Sequence, residues 1–105
     1  MSLRPLTPQE RADALHKAAA ARVARAGAKE KLKSGQLTIA ELLSAGERDE
    51  AIARMRVVEL LEALPGIGHV RAAAIMERLG IAASRRVRGL GIHQRRALVD
   101  FIDKK

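Results

Sequence analysis

The chain has 105 residues, no cysteine, three histidines and a formal charge of +8, with a pI near 11.1. That length holds one modest domain, and the missing thiols exclude disulfides, thiolate zinc sites and cysteine nucleophiles. The charge needs a polyanionic partner, yet Phe101 is the only aromatic residue, which excludes the stacking platforms that grip single-stranded nucleic acid.

A duplex, whose bases are already stacked, needs no such platform, so the outside of a double helix is the favoured partner. No apolar run approaches the roughly 20 residues of a membrane span, and no signal sequence opens the chain. A cytoplasmic protein with no membrane partner is expected. His16, His69 and His93 stand in no carboxylate pattern that resembles a metal site, and neither metal nor cofactor is predicted. The charge falls in blocks: residues 1–35 carry +5, residues 36–64 carry −3 and residues 65–105 carry +6. Two basic blocks around an acidic middle suggest two contact surfaces.

The first element is a long helix. Thr7, Pro8 and Glu10 have the spacing of a capping box with proline at the first helical position. Helical propensity continues to Ser34, where Gly35 offers a left-handed stop. At ~1.5 Å per residue this helix is about 40 Å long, more than a core of this size can cover. Its only large apolar residues are Leu15, Val23 and Leu32, so little burial draws it inward. Arg22, Arg25, Lys29 and Lys33 share one face by their three-four spacing, with Lys17 and Lys31 flanking. That ridge is either a second phosphate-contacting surface or a solvated basic face.

Thr38 and Glu41 repeat the capping-box spacing and open a short helix through Leu42 and Leu43, closed near Gly46. Asp49 caps a further turn from Glu50 to Met55. Val57, Leu60, Leu61 and Leu64 then recur at helical spacing and predict a core-facing stripe, which Pro65 ends.

The most informative stretch runs Leu64-Pro65-Gly66-Ile67-Gly68-His69-Val70-Arg71-Ala72. Two glycines permit a tight turn and leave no side chain between backbone amides and an approaching ligand. A helix follows, with Ala72, Ile75, Met76 and Leu79 as its apolar face, and its unpaired amides and positive dipole end meet at the same place. Such a site suits a phosphate oxygen. The bland alternative is a plain turn between two core helices; a dinucleotide site would need a preceding strand, and none is predicted.

After Gly80 comes Ser84-Arg85-Arg86-Val87-Arg88-Gly89-Leu90-Gly91. Three arginines in four residues would be costly to bury and should face solvent or a polyanion, where guanidinium forks bridge phosphate oxygens or enter a narrow minor groove. A last helix, Ile92 to Ile102, should bury Leu98, Phe101 and Ile102 and leave Arg95 and Arg96 available. No sustained two-residue alternation marks a strand. The predicted fold is all-α, one domain over 1–105: a long basic helix over 1–35, short acidic helices over 36–55 and a core over 56–105.

Three segments, LTPQERADALHKAAAAR, MRVVELLEALPGIGHVRAAAIMERLGI and SRRVRGLG, together resemble the actinobacterial, mycobacterial-type integration host factor family of nucleoid-associated proteins. The middle segment is also similar to the helix-two-turn-helix module of a small-subunit ribosomal protein and of certain DNA glycosylases, and LPGIG to helix-hairpin-helix loops. The resemblance implies a long N-terminal helix packed beside a helix-two-turn-helix core. It implies sequence-tolerant binding of duplex DNA with bending or compaction, and help in chromosome organisation and phage integration without catalysis.

Carried over by position, the DNA-binding residues are Gly66, Ile67, Gly68, His69 and Arg71 at the turn and Arg85, Arg86, Arg88 and Gly89 in the arginine loop. Arg22, Arg25, Lys29 and Lys33 form the second surface. The implied partners are double-stranded DNA and a phage integrase, with the chain a monomer in solution. His69 stands where the family tends to place lysine, so that contact should depend on pH. A glycosylase would need proline at residue 2, where this chain has Ser2, or a lysine and aspartate after the hairpin, which are missing. Binding to RNA or to the ribosome is the other alternative, weakened by the long alanine-rich helix and the SRRVRGLG segment.

Overall fold

The Thr7 hydroxyl accepts the Glu10 amide at 3.1 Å while the Glu10 carboxylate accepts the Thr7 amide at 3.0 Å. The predicted capping box therefore closes, and α1 runs Pro8–Ser34 to a left-handed Gly35. The computed structural model describes residues 4–103; Ser2 lies outside them. Five further helices follow: α2 (Ile39–Ala45), α3 (Glu50–Ala53), α4 (Val57–Ala63), α5 (His69–Arg78) and α6 (Ile92–Asp103), with a 3-10 turn at Val87–Gly89 before α6. The all-α class stands.

Burial divides α1 in two. Every residue from 11 to 20 is exposed, with Leu15 at 65% and Val23 at 72%, whereas Ala28 and Leu32 are buried. The middle of the helix borders α3, where Lys17 Nζ lies 3.9 Å from Glu50 Oε2, its C-terminal part packs on α4, and the molecule measures 50 × 33 × 25 Å. Length without an apolar stripe leaves little apolar burial to hold the first turns against the body.

The core lies among the other helices. Leu32, Ile39, Leu42, Met55, Val57, Leu60, Leu61, Val87 and Leu98 are its largest fully enclosed members. Helices α2 and α6 are tied across it, since the Asp103 carboxylate accepts the Ile39 and Ala40 amides at 3.2 and 3.0 Å. An acid from α6 thus satisfies two of the orphan donors at the start of α2, where the dipole favours negative charge.

Three expectations need correction. The turn expected to reach Met55 stops at Ala53, because the backbone beyond it turns to an extended pairing. The Val57 amide donates to the Arg85 carbonyl and the Val87 amide to the Met55 carbonyl, each at 2.9 Å, around an isolated antiparallel bridge between Arg56 and Arg86. Phe101 and Ile102, expected in the core, are only half-buried; the Arg78 guanidinium stands 5.7 Å from the Phe101 ring centroid and covers part of it. Arg95, expected to be available, is held by Glu47 at 2.9 Å, while Arg96 is exposed.

Candidate nucleic-acid interface

The turn between α4 and α5 is set by one glycine. Gly66 has φ +78°, a conformation that side-chain-bearing residues resist, whereas Gly68 is extended with φ −92° and ψ −173°. Both glycines were expected to turn the backbone; only Gly66 does so. Gly68 is the N-cap of α5, and with no side chain it gives that helix no capping hydrogen bond. The first amide to find an acceptor is Ala72, which donates to the Gly68 carbonyl at 3.0 Å, so the His69, Val70 and Arg71 amides open outward. A methyl group at Gly68 would meet nothing within 4 Å, which leaves the approach clear. Helices α1 and α2 close their first turns with capping boxes. Helix α5 keeps its amides for something else.

Side chains around the turn are open to solvent: Arg71 is exposed, Ile67 partly so, and His69 to 81% of its side chain. His69 Nδ1 lies 3.8 Å from Glu62 Oε1, close enough to pair when the imidazole carries a proton.

The arginine loop is less uniform than its sequence suggests. Arg85 folds back over the 3-10 turn, half-buried, and its Nη1 donates to the Gly89 carbonyl at 3.1 Å. A methyl group on Gly89 would stand 3.1 Å from Arg85 Cδ, so the missing side chain makes room for this fold-back. The Arg85 Nε is buried without a partner. Arg86 is exposed but anchored, with Nη1 donating to the Arg54 carbonyl at 2.8 Å. Arg88 is exposed. Of the three, Arg85 does not stand free to face solvent, because the turn needs its guanidinium.

The loop is also nailed down from beneath. Val87 is wholly buried, and a methyl group on buried Gly46 would touch its Cγ1 at 3.0 Å, so the end of α2 and the loop meet with no space to spare. Exposed arginines on either side of a buried valine are thereby fixed in direction.

Helix α1 brings the second surface alongside the first. Arg22, Arg25 and Lys29 line one wall of a cleft of about 650 Å³, and Arg54, Arg56 and Arg86 line the other, with Glu59 the only acid among the described residues that line it. A neighbouring cleft of about 740 Å³ shares Ala26, Lys29 and Glu59 with it and runs to Lys33 and the Pro65–Gly68 turn. Arg86 of the arginine loop, the glycine turn and the ridge of α1, predicted as two surfaces, therefore line two adjoining clefts, the second of which also carries Glu30 and Glu62. Lys29 and Glu59, which line both, pair at 3.1 Å. Both are partly exposed, so the pair contributes about 0–1 kcal/mol and opens readily.

Arg54 and Arg56 escape the sequence reading because they sit in the acidic block. Their signal is local: Arg54-Met55-Arg56-Val57 and Arg86-Val87-Arg88 each alternate exposed arginine with buried apolar residue, and Arg56 and Arg86 themselves have extended backbone. Two such stretches pair at the bridge and set their arginines on one rim. Among the described residues no three of His, Asp and Glu gather as they would around a metal ion. No described helix is long and apolar enough to cross a membrane.

The S13-like H2TH domain family matches residues 32–101. An integration host factor of Streptomyces coelicolor is 55% identical over 94 residues, covering 90% of this chain and 88% of that protein. One from Mycolicibacterium smegmatis is 50% identical over 104 residues, 99% of each. A solved structure of sIHF bound to an 8bp palindromic DNA superposes with a TM-score of 0.81 and 49% identity, covering 83% of this chain and 98% of that one.

Proposed function

The chain belongs to the actinobacterial integration host factor family, with an S13-like H2TH domain at its centre, and on that footing we propose that it is an architectural protein of the nucleoid that binds duplex DNA through the sugar-phosphate backbone. The observation that carries this reading is the uncapped start of α5, where the amides of His69, Val70 and Arg71 take no backbone acceptor, next to Gly66 and Gly68, whose cleft adjoins the one that Arg86 lines. Three converging amides at a positive dipole end take one phosphate, and guanidiniums along the groove take its neighbours.

Contacts of this kind position a duplex without reading its bases. The candidate donors are backbone amides of Gly66, Gly68 and His69, since the Ile67 amide already donates to the Leu64 carbonyl at 3.3 Å, joined by Arg71, Arg86 and Arg88, with Arg85 and Gly89 shaping the loop. Arg22, Arg25, Lys29 and Lys33 extend the surface along α1. No set of side chains is arranged like an inserted recognition helix, so sequence preference should follow DNA shape and deformability. Bending or compaction of the chromosome, in the cytoplasm, and assistance to a phage integrase in a nucleoprotein complex follow as the biological setting. The chain works as a monomer, without cofactor or catalysis.

Anisotropy with a labelled 20-base-pair duplex (an ordinary probe length of about two helical turns) and an A-form RNA of equal length tests the class of partner. Tighter binding to DNA is expected; preference for RNA would move the chain to the ribosomal side of its module's likeness. Incubation with abasic duplex should leave the strands intact.

A further inference from the structure

Hydroxyl groups are scarce in this chain, and most of them are engaged. Among the described residues, Thr7 and Thr38 use theirs in the capping boxes of α1 and α2, Ser34 donates to the Lys31 carbonyl at 3.3 Å, and Ser44 lies within α2, where the helix holds its backbone. Ser84 differs from all of these. It is exposed in the connection between α5 and the 3-10 turn, at the corner of a turn that the Arg85 amide closes on the Ala82 carbonyl at 2.9 Å. Its hydroxyl makes no hydrogen bond with any described residue. Ala82 and Ala83 beside it are small and exposed, so an enzyme can reach the hydroxyl, while buried Ile81 and Val87 hold the segment at both ends.

Ser84 opens on a concavity of about 400 Å³ that it lines together with Ala82, Arg85, Arg86, Arg88 and Gly89. Three guanidiniums meet there with no acid among the described lining residues. None of these arginines has a carboxylate partner among the described residues: Arg85 and Arg86 donate to the backbone carbonyls of Gly89 and Arg54, and Arg88 makes no ion pair. The Arg85 Nε is buried with no acceptor at all. Donors exceed acceptors around the hydroxyl, and one compact anion with several oxygens would redress the balance.

We infer that Ser84 is a phosphorylation site, whose phosphate turns into this concavity onto Arg86 and Arg88 and releases the loop's hold on DNA. The inference rests on the DNA-binding reading and adds a regulation to it. A serine kinase using ATP supplies the reaction: the Ser84 oxygen attacks the γ-phosphorus, the bond to the bridging oxygen breaks, ADP leaves and the serine proton passes to a base of the kinase. The product carries a charge of about −1.5 to −2 on three acceptor oxygens. Tethered beside Arg85, Arg86 and Arg88, it meets their guanidiniums within the same chain, at an effective concentration that a duplex in dilute solution does not match. About two of the loop's cations are then neutralised from inside.

The test uses the full chain in three forms: unmodified, carrying phosphoserine at position 84 introduced during translation, and Ser84→Ala. Mass spectrometry of the chain purified from its own cells, in growth and in stationary phase, should place a phosphoryl group on Ser84 and none on Thr7, Thr38 or Ser44. Phosphate elsewhere, or on no residue, would overturn the site. Circular dichroism should agree among the three forms, because Ser84 is exposed. Ser84→Ala should bind a labelled duplex within about twofold of the unmodified chain, and the phosphoserine form about tenfold or more weakly, with a slope of log affinity on log salt shallower by roughly 1.8, about 0.9 for each of two phosphates released. Phosphorus NMR should show the phosphoserine titrating below its ordinary value of about 6, and Arg88→Ala should return it toward that value. A phosphoserine form that binds DNA as tightly as the unmodified chain, or whose phosphate titrates at the ordinary value, would overturn the switch. Failure of the unmodified chain to bind any duplex would instead remove the DNA-binding reading, while the mass spectra and the phosphorus titration would still decide the site.

Discussion

Arg86 Nη1 lies 2.8 Å from the carbonyl oxygen of Arg54, so two arginines 32 positions apart are joined through backbone and not through an acid. The bond turns one guanidinium toward the groove without cancelling its charge. Together with the Arg56–Arg86 bridge it makes a rim from the α3–α4 junction and the arginine loop, two pieces of chain that neither composition nor helical periodicity would have paired.

The three loop arginines should separate by function. Arg88→Ala removes an exposed cation and should weaken DNA binding about three- to tenfold while leaving thermal stability within about 0.5 kcal/mol. Arg85→Ala removes the hydrogen bond to the Gly89 carbonyl and the packing of its stem, and should cost about 1 kcal/mol of stability. Parallel binding and melting curves check the division; equal stability losses in both variants would contradict it.

Gly66→Ala places a methyl group at φ +78° and should cost about 1–2 kcal/mol if the turn keeps its shape. Gly68→Ala meets no clash in the free chain and has an extended backbone, so its stability should hold while DNA affinity falls, because the added group stands before the amides. Denaturant melts read against DNA titrations separate the two glycines.

Acid should loosen both capping boxes. The Thr7 backbone amide, with help from the Arg4 guanidinium and the Thr7 hydroxyl, holds the Glu10 carboxyl below its ordinary value of 4.5. The Thr38 amide and hydroxyl do the same for Glu41. A carboxyl lowered on folding stabilises the fold above its unfolded value, and that stability is lost as pH falls through the lowered one. Helical signal and melting temperature should therefore decline below about pH 5, and the Glu10→Gln/Glu41→Gln variant should show a shallower decline.

Much of the fold is legible in the sequence because its signals are local. Thr7 with Glu10, and Thr38 with Glu41, announce helix starts that depend on atoms three residues apart. The missing apolar stripe before Val23 foretells that the first half of α1 stays exposed. What is not legible is long-range. Phe101 reads as core by type, yet it ends on the edge because Leu98 takes the enclosed position and Arg78 covers the ring. Arg85 reads as a free cation until the turn claims it, and the groove exists only because the bridge and the docked half of α1 bring distant arginines face to face.

The most direct measurement of the central claim is a salt titration of binding to two duplexes of unrelated sequence. Engagement of about five phosphates predicts a slope of log affinity against log salt of about −4 to −5, nearly the same for both sequences. A slope near zero, or an affinity that depends strongly on sequence while ignoring salt, would contradict backbone binding through this groove.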